Sequence, residues 1–438
     1  MEKTKNAKQN KAERSTLKYF KGFLVVVLIV ISFIGGYFTN YLTKSDTEKT
    51  VEWVVGTVTK YGYFLDEETG ELKQFTGEEI ADKIVSSFLD QYSDYYTPEE
   101  YSDVVKTNKG NNFGVGATFL SATNDLKIFR VIGNSPADFA GLKKGDVIVA
   151  GARTSSRVDF ADREAFVNFI SEQSKDTEFT IFYMRDGIEH QAIVKRTVFT
   201  SSYVKYYDNT TYGHFVEKDD TAGLKFVTEQ SEEMTMLDDK TAYVSFMSFS
   251  GQATFEMNKV MEYAKAQGKT KIILDLRDNG GGQMDILCNV ASHFVYSDKT
   301  EKPIIVYSKD SNNVINHYSA SGSKANPDTE KIVVLANGYS ASATECLIGA
   351  MLHYKFNFDR NSLIIEQGVN GKSTTYGKGI MQRTFINVYT GEALKITTAQ
   401  IYFPNKTTSI HGVGIHTNPQ NVVSPEKVMT RALEILAS

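Results

Sequence analysis

The stretch "YSASATE", Tyr339 to Glu345, sets two serines, Ser340 and Ser342, where an apolar run, "KIVVLA", gives way to a helix. Serine becomes a nucleophile once a base removes its proton. A helix N-terminus just beyond it supplies free backbone N–H groups and a positive dipole end, which suit the oxyanion formed when a peptide carbonyl is attacked. Ala341 and Ala343 leave room for a substrate backbone. Taken alone, the stretch is more simply a helix cap at Ser340 or Ser342. The seven histidines offer no obvious partner nearby. A different base stands in "YGKGIMQ", Tyr376 to Gln382. Lysine serves as a general base when burial lowers its pKa, ordinarily about 10.4, by several units. Gly377 and Gly379 allow close backbone packing around Lys378. On a strand, Gln382 would share the face of Lys378 and its amide would orient the amine. The simpler alternative is a surface lysine in a flexible loop.

The elements that must position these residues follow from pattern. With 438 residues the chain holds two or three folded units. A hydrophobic content of 41%, a charged content of 23% and a net charge of −5 describe a globular protein and argue against a nucleic-acid partner. From about residue 199 the pattern is α/β. "AYVSFMSFS", "TKIILDLRDNGGG" and "KIVVLANGYSASATE" are strands that each run into a helix, two of them through a glycine-containing turn. The polar stretch "YDNTTYGHFVEKDDTAG" reads as a surface insertion or loop.

Residues 112–198 differ. "FGVGATFL", "LKIFRVI", "DVIVAG", "EFTIFYMRD" and "HQAIVKRTV" are short strands, with helices at "NSPADFAG" and "DREAFVNFISEQS". Ser135 caps the first helix, Pro136 suits its first position, Asp138 supplies the capping-box acid and Gly141 stops it. This segment resembles a PDZ domain. "FGVGATF" stands at the position of the carboxylate-binding loop, and "GNSPADFAGLKKGDVIVAG" at the first helix and following strand. The resemblance implies that Phe113, Gly114, Val115, Gly116 and Ala117 receive a peptide C-terminus added as a strand. The alternative is that Gly114 and Gly116 only make a turn.

Residues 44–111 read as helical, with Thr97, Pro98 and Glu100 forming a helix start. Before them, Gly22 to Thr43 are twenty-two residues without a charge, preceded by seven basic residues and two acidic ones. That length crosses a bilayer core of about 30 Å. The charge bias puts residues 1–21 in the cytoplasm and everything after Lys44 outside. A cleaved signal peptide is the rival, but no A-x-A site follows. The expected organisation is thus a basic tail (1–21), a transmembrane signal anchor (22–43), a helical region (44–111), a PDZ-like small β-barrel (112–198) and an α/β core (199–438).

Four signatures in order are similar to the C-terminal processing peptidases, or tail-specific proteases, of the Ser/Lys class. They are "LDQYSDYYTPEEY", the PDZ segment, "ILDLRDNGGG", and "SASATE" followed by "YGKGIMQ". "GEALKITTAQIYFPN" and "GVGIHTNPQNVV" extend the likeness, which spans roughly residues 55 to 425. The resemblance implies a peptidase core of the ClpP/crotonase-like kind. It makes Ser342 the nucleophile, Lys378 the general base and Gln382 its orienting residue. The backbone N–H groups of Ala343 and Gly281 form the oxyanion hole. It also implies a protein substrate with an exposed C-terminal tail, no metal or organic cofactor, and a homodimer through the helical region. Thr344 stands where the family has serine, and the gap from Ser342 to Lys378 is longer than usual, which brings in Lys372 as a rival base.

Other patterns lead elsewhere. "GVNGKS" imitates a phosphate-binding loop, but Glu366 stands where its first glycine is needed. His411 and His416 have no third ligand in evidence. Asp275 and Asp278 flank Arg277 and could pass for an acid pair; holding the turn before Gly281 is the simpler role. Cys288 and Cys346 are either a disulfide or two buried thiols. The functions that remain are an extracytoplasmic serine endopeptidase, a catalytically silent PDZ scaffold, or a binder of an apolar small molecule on the same fold.

Overall fold

The computed structural model describes residues 27–28, 30–32, 43–61, 64–65, 72–73, 76–120, 123–153, 156–218, 221–228, 236–296 and 302–438. Two units divide the chain, Met1–Lys83 and Ile84–Ser438. Among the described residues no helix is long and apolar enough to cross a membrane. The span expected at 22–43 lies mostly outside them. The first unit contains helix α1 (Asp46–Tyr61) and a short pairing of Phe64–Leu65 with Leu72–Lys73. Helix α2 (Gly77–Phe88) runs through the boundary.

The second unit opens with β1 (Asp94–Tyr96) and α3 (Pro98–Asn108). The expected start of α3 is present: Thr97 N–H donates to Glu100 Oε2 at 2.9 Å. Residues 111–200 then form β2 (Asn111–Gly114), β3 (Ala117–Phe119), β4 (Ile128–Val131), α4 (Pro136–Phe139), β5 (Val147–Ala152), β6 (Arg157–Asp159), α5 (Arg163–Ser171), β7 (Glu178–Arg185), β8 (Ile188–Lys195) and β9 (Thr197–Thr200). β8, β7, β5 and β6 make one antiparallel sheet in that order, and β3 pairs with β4 and β9 with β2. Ile128, Ile148, Phe166, Phe179 and Ile181 give this segment a core of its own.

The remainder follows as β10 (Val204–Tyr207), β11 (Tyr212–Lys218), β12 (Thr221–Thr228), β13 (Thr241–Phe246), α6 (Ala253–Ala266), β14 (Lys271–Asp275), α7 (Met284–Ala291), β15 (Ile304–Asp310), β16 (Ile315–Ser319), β17 (Lys331–Ala336), α8 (Ala343–Tyr354), β18 (Leu363–Glu366), β19 (Ile380–Ile386), β20 (Ala393–Tyr402), β21 (Val422–Val423) and α9 (Val428–Ala437). Eight strands form one sheet in the order β12-β11-β10-β13-β14-β17-β18-β21, parallel from β13 onward. Parallel strands are covered on both faces, which is why they read as unbroken apolar runs. Alternate residues serve opposite faces. Ile272, Leu274, Ile332 and Val334 join the core under α6, α7 and α8. Ile273, Val333, Leu335 and Ile364 face α9 instead.

The stretch read as a surface loop before residue 224 is in large part β11 and β12, paired antiparallel at the edge of this sheet. Its polar residues hid a strand in which the adjacent His214 and Phe215, on opposite faces, are both buried. A second sheet, β16-β15-β20-β19, carries β1 on β20 through Leu394–Tyr95 and Lys395–Asp94. This pairing hangs the loop 89–93 beside the start of β19.

Candidate active site

Strand β17 ends at Ala336, and the chain turns through Asn337–Ala341 to Ser342, the residue before α8. The structure separates the two serines. Ser340 is fully buried: its Oγ donates to Leu276 O at 2.7 Å and accepts Asn337 N–H at 2.9 Å. Ser340 therefore builds the turn. Ser342 lies at φ +56 and ψ −117, a conformation that costs a non-glycine residue about 1–3 kcal/mol. Strain of this kind persists only where surrounding bonds fix it, and here they do. Ala341 N–H donates to Asn279 O at 3.0 Å, Thr344 Oγ1 donates to the same oxygen at 2.8 Å, and Asn337 Nδ2 donates to Asp278 Oδ1 at 2.9 Å.

The turn after β14 is thus tied to the serine turn. Asp275 lies behind it in an ion pair with Arg277 (2.7 Å), and Arg277 also meets Glu366 at 2.5 Å. These charges brace the turn, and Asp275 is buried away from Ser342. Gly281 is pressed against the Ser342 turn; a Cβ there would meet Ala343 N at 2.8 Å and Ser342 Cβ at 2.9 Å. Its N–H, however, donates to Asn279 Oδ1 at 3.0 Å. The Ala343 N–H makes no hydrogen bond among the described residues.

Lys378 sits in the segment leading into β19. Gly379 is needed for that approach, because a Cβ would meet His411 N at 2.6 Å. The residue that joins the Lys378 and Ser342 segments is Glu345, fully buried in the first turn of α8. Its Oε2 accepts the N–H of Ser342 at 2.9 Å and of Lys378 at 2.9 Å. Its Oε1 accepts the N–H of Gly377 at 2.8 Å and the hydroxyl of Thr375. Burial pushes the Glu345 carboxyl above its usual range, against these four bonds. The motif reading includes Glu345 and assigns it no role. Its signal in the sequence is the spacing of three after Ser342, that of an acid in a capping box.

The amine of Lys378 is depressed below the ordinary lysine value, first by burial and then by Lys395, with Asp90 acting against both. No hydrogen bond joins Lys378 Nζ to Ser342 Oγ; the ammonium lies over the Tyr92 ring, 4.5 Å from its centroid. Gln382 does not reach the lysine. Its Nε2 donates to Thr397 Oγ1 at 3.0 Å. The expected shared face does not arise because Lys378 lies ahead of β19, which starts at Ile380, so strand alternation does not relate the two side chains. Lys372, the rival base, donates to Tyr376 O and lies over the Tyr376 ring at 4.5 Å.

The five residues assigned to peptide binding run from the end of β2 (Phe113, Gly114) through Val115 and Gly116 into β3 at Ala117. Phe113 is half exposed beneath the Arg196 guanidinium at 4.5 Å, and Gly114 pairs with Thr197. Val115 is buried and its carbonyl accepts Ala137 N–H at 2.8 Å. Gly116 O accepts Ile132 N–H at 2.8 Å, and Ala117 pairs with Val131. Residues 111–200 also reach the turns that carry Asp278 and Tyr339 directly. Arg130 donates to Asp278 O, Lys144 pairs with the Asp278 carboxylate, and Phe129 meets the Tyr339 ring edge-on at 5.0 Å. Cys288 and Cys346 are free thiols, and burial pushes Cys288 up to about 11.

Residues 240–420, which contain both Ser342 and Lys378, match the profile of Peptidase family S41. The chain is 27% identical over 406 residues to a "Probable CtpA-like serine protease" of Staphylococcus saprophyticus, covering 91% of this chain and 72% of that one. It is 28% identical over 349 residues to a "Carboxy-terminal-processing protease" of Bartonella bacilliformis, covering 77% and 68%. Among solved structures, a photosystem II D1 C-terminal processing protease aligns over 87% of this chain and 89% of that one, at 21% identity and a TM-score of 0.49. The chain carries a peptidase family S41 core and is a serine-type peptidase.

Proposed function

We propose that the chain is a membrane-anchored, extracytoplasmic endopeptidase that captures exposed C-terminal tails and cuts them with Ser342 and Lys378. The observation that carries the assignment is the shared carboxylate. Glu345 Oε2 accepts both the Ser342 and the Lys378 N–H, so two segments far apart in sequence are held against one atom. Neutral Lys378 takes the proton from Ser342 Oγ as the oxygen attacks the peptide carbonyl carbon. The tetrahedral oxyanion is met by the Ala343 N–H at the start of α8, with its dipole behind. The carbon–nitrogen bond breaks, the proton passes from the Lys378 ammonium to the leaving amine, and an ester to Ser342 remains. Water, deprotonated by the same lysine, then releases the acyl group. The Gly281 N–H serves as a second oxyanion donor when it leaves Asn279 Oδ1. Gln382 would orient the amine only after a side-chain rearrangement.

The tail is held by residues 112–198 acting as a PDZ domain. In support, β3 has a single strand neighbour among the described residues, β4, and α5 lies across it through the Phe119–Phe166 ring contact at 5.3 Å. Membrane attachment rests on the uncharged span Gly22–Thr43 and the basic residues before it. A second reading, a silent scaffold on the same fold, is favoured by the position of the Lys378 amine over Tyr92.

The test uses the full chain in detergent micelles with an unfolded protein ending in an apolar tail. The parent and Lys372→Ala are expected to cleave it, while Ser342→Ala and Lys378→Ala are dead. Loss of activity in Lys372→Ala alone would move the base to Lys372. Binding of the tail with no cleavage by any of them would leave the scaffold.

A further inference from the structure

The signature "LDQYSDYY" and the spare lysine Lys372 have no part in the chemistry above, yet both stand at the base. A cavity of about 690 Å³ opens beside Lys378 and is lined by Asp90, Tyr92, Lys372, Tyr376, Thr397 and His411. Two ammonium groups lie on its aromatic rings. Lys378 Nζ stands 4.5 Å from the Tyr92 centroid, and Lys372 Nζ 4.5 Å from that of Tyr376. Tyr92 is held in place by its own turn: its N–H donates to Asp90 Oδ1 at 3.1 Å, and Ser93 N–H donates to Asp90 O at 3.0 Å. The pairing of β1 with β20 anchors that turn to the sheet that also carries β19.

A ring face attracts the ammonium form of lysine and gives nothing comparable to the neutral amine. A general base must be neutral when it acts. Resting on this Ser342–Lys378 reading, we propose that Tyr92 is a positioning residue: its ring is the resting seat of the Lys378 ammonium, holding the base charged and off Ser342 until the side chain swings away. The charged and titratable groups around Lys378 are Asp90 from the same turn as Tyr92 and Lys395 from β20, which act on the amine, Lys372, Tyr376 and His411 in the cavity wall, and Glu345 from α8, which holds the Lys378 backbone N–H. Asp90 favours the charged form and Lys395 opposes it. Burial, with the neighbouring Tyr376 phenol, pushes the Tyr92 hydroxyl up to about 12, so the ring stays neutral over the working range.

The test reads the pH dependence of fluorophosphonate labelling of Ser342 in the full chain. In that reaction Ser342 Oγ bonds to phosphorus, the phosphorus–fluorine bond breaks, fluoride leaves and the serine proton goes to Lys378. Tyr92→Phe keeps the ring and is expected to keep the parental midpoint of the acid limb. Tyr92→Leu is expected to lower that midpoint by about 0.4 to 1.5 pH units, so that labelling below it is about 2- to 30-fold faster. Tyr92→Trp, with a stronger ring face, is expected to raise it. A merely structural role would lower the plateau rate and leave the midpoint in place. Unmoved midpoints in the Leu and Trp variants would overturn the proposal. If Tyr92→Leu does not fold, the Phe and Trp pair decides in the same way. Lys378→Ala separates the two readings: labelling at the parental rate would remove the base itself, and the seat with it.

Discussion

Two of the glutamates buried in the second unit, Glu345 and Glu256, are used differently. Glu345 lies where the Ser342 and Lys378 segments meet, and Glu256 lies in the first turn of α6. Both collect backbone N–H groups, and burial pushes both carboxyls upward. The Glu345 donors come from two distant segments and occupy both oxygens. The Glu256 donors, Ser202 Oγ and the N–H of Tyr203 and Val204, come from one continuous stretch and all meet Oε2. One side chain staples separate segments and needs every lone pair it has. The other steadies a single strand entry, where the chain passes from the small β domain into β10, and keeps an oxygen in reserve.

The largest effect should come from Glu345→Gln. The amide nitrogen must face either the Ser342 and Lys378 N–H groups or the Gly377 N–H and Thr375 hydroxyl, and donors meeting donors are left unsatisfied. Each costs about 1–3 kcal/mol. We expect urea unfolding to show a loss of about 3 kcal/mol and peptide cleavage to fall at least about 100-fold, the cost of misplacing reacting groups by an ångström. A fully active Glu345→Gln would break the comparison at its strongest point.

Glu256→Gln should behave in the opposite way. The amide oxygen takes over the three donors, and its nitrogen fills the unused side. The Glu256 carboxyl sits at about 8 in the folded chain against an ordinary 4.5. A carboxyl raised in this way stabilises the fold fully below about pH 4.5. The contribution is lost as pH rises to about 8 and stays lost above it. The glutamine does not titrate, so its stability relative to the parent should climb between those two values and then level off. The climb should be a few kcal/mol, because each tenfold change in proton affinity is worth about 1.4 kcal/mol before solvent relaxation reduces it. A series of urea midpoints from pH 4 to 9 checks this. A flat difference would mean that Glu256 stays ionised throughout.

The contrast also separates what the sequence discloses from what it hides. The parallel strands were legible because their apolar runs are buried on both faces, and the Ser342 turn because small residues and a helix start mark it. Lys378 was legible through its flanking glycines, of which Gly379 proves sterically necessary. The direction of the Gln382 amide was not, since Lys378 lies ahead of the first residue of β19 and strand alternation does not reach it. Nor was β11, whose polar residues concealed buried positions, nor the meeting of Tyr92 with Lys378. That contact depends on β1 pairing with β20, some 300 residues away, through Leu394–Tyr95. Long-range register sets such contacts, and no local pattern encodes them.

The smallest effect belongs to Thr344, the departure from the family's serine. Its hydroxyl is buried and donates to Asn279 O, an oxygen that also accepts the Ala341 N–H. Thr344→Ser keeps the bond and removes one methyl group, a loss of about 1 kcal/mol in stability. Cleavage should stay within about twofold, because the Asn279 turn is still tied to α8. Thr344→Val keeps the volume and removes the bond. One partner remains on the carbonyl, so the stability cost is again about 1 kcal/mol. Here cleavage should drop several-fold, since Asn279 also holds the Gly281 N–H and its slackening reaches the oxyanion site. Two variants of equal stability and unequal rate would show that the hydroxyl, and not the extra methyl, is what the catalytic junction requires. Equal rates would make Thr344 an ordinary packing residue and confine the junction to Glu345.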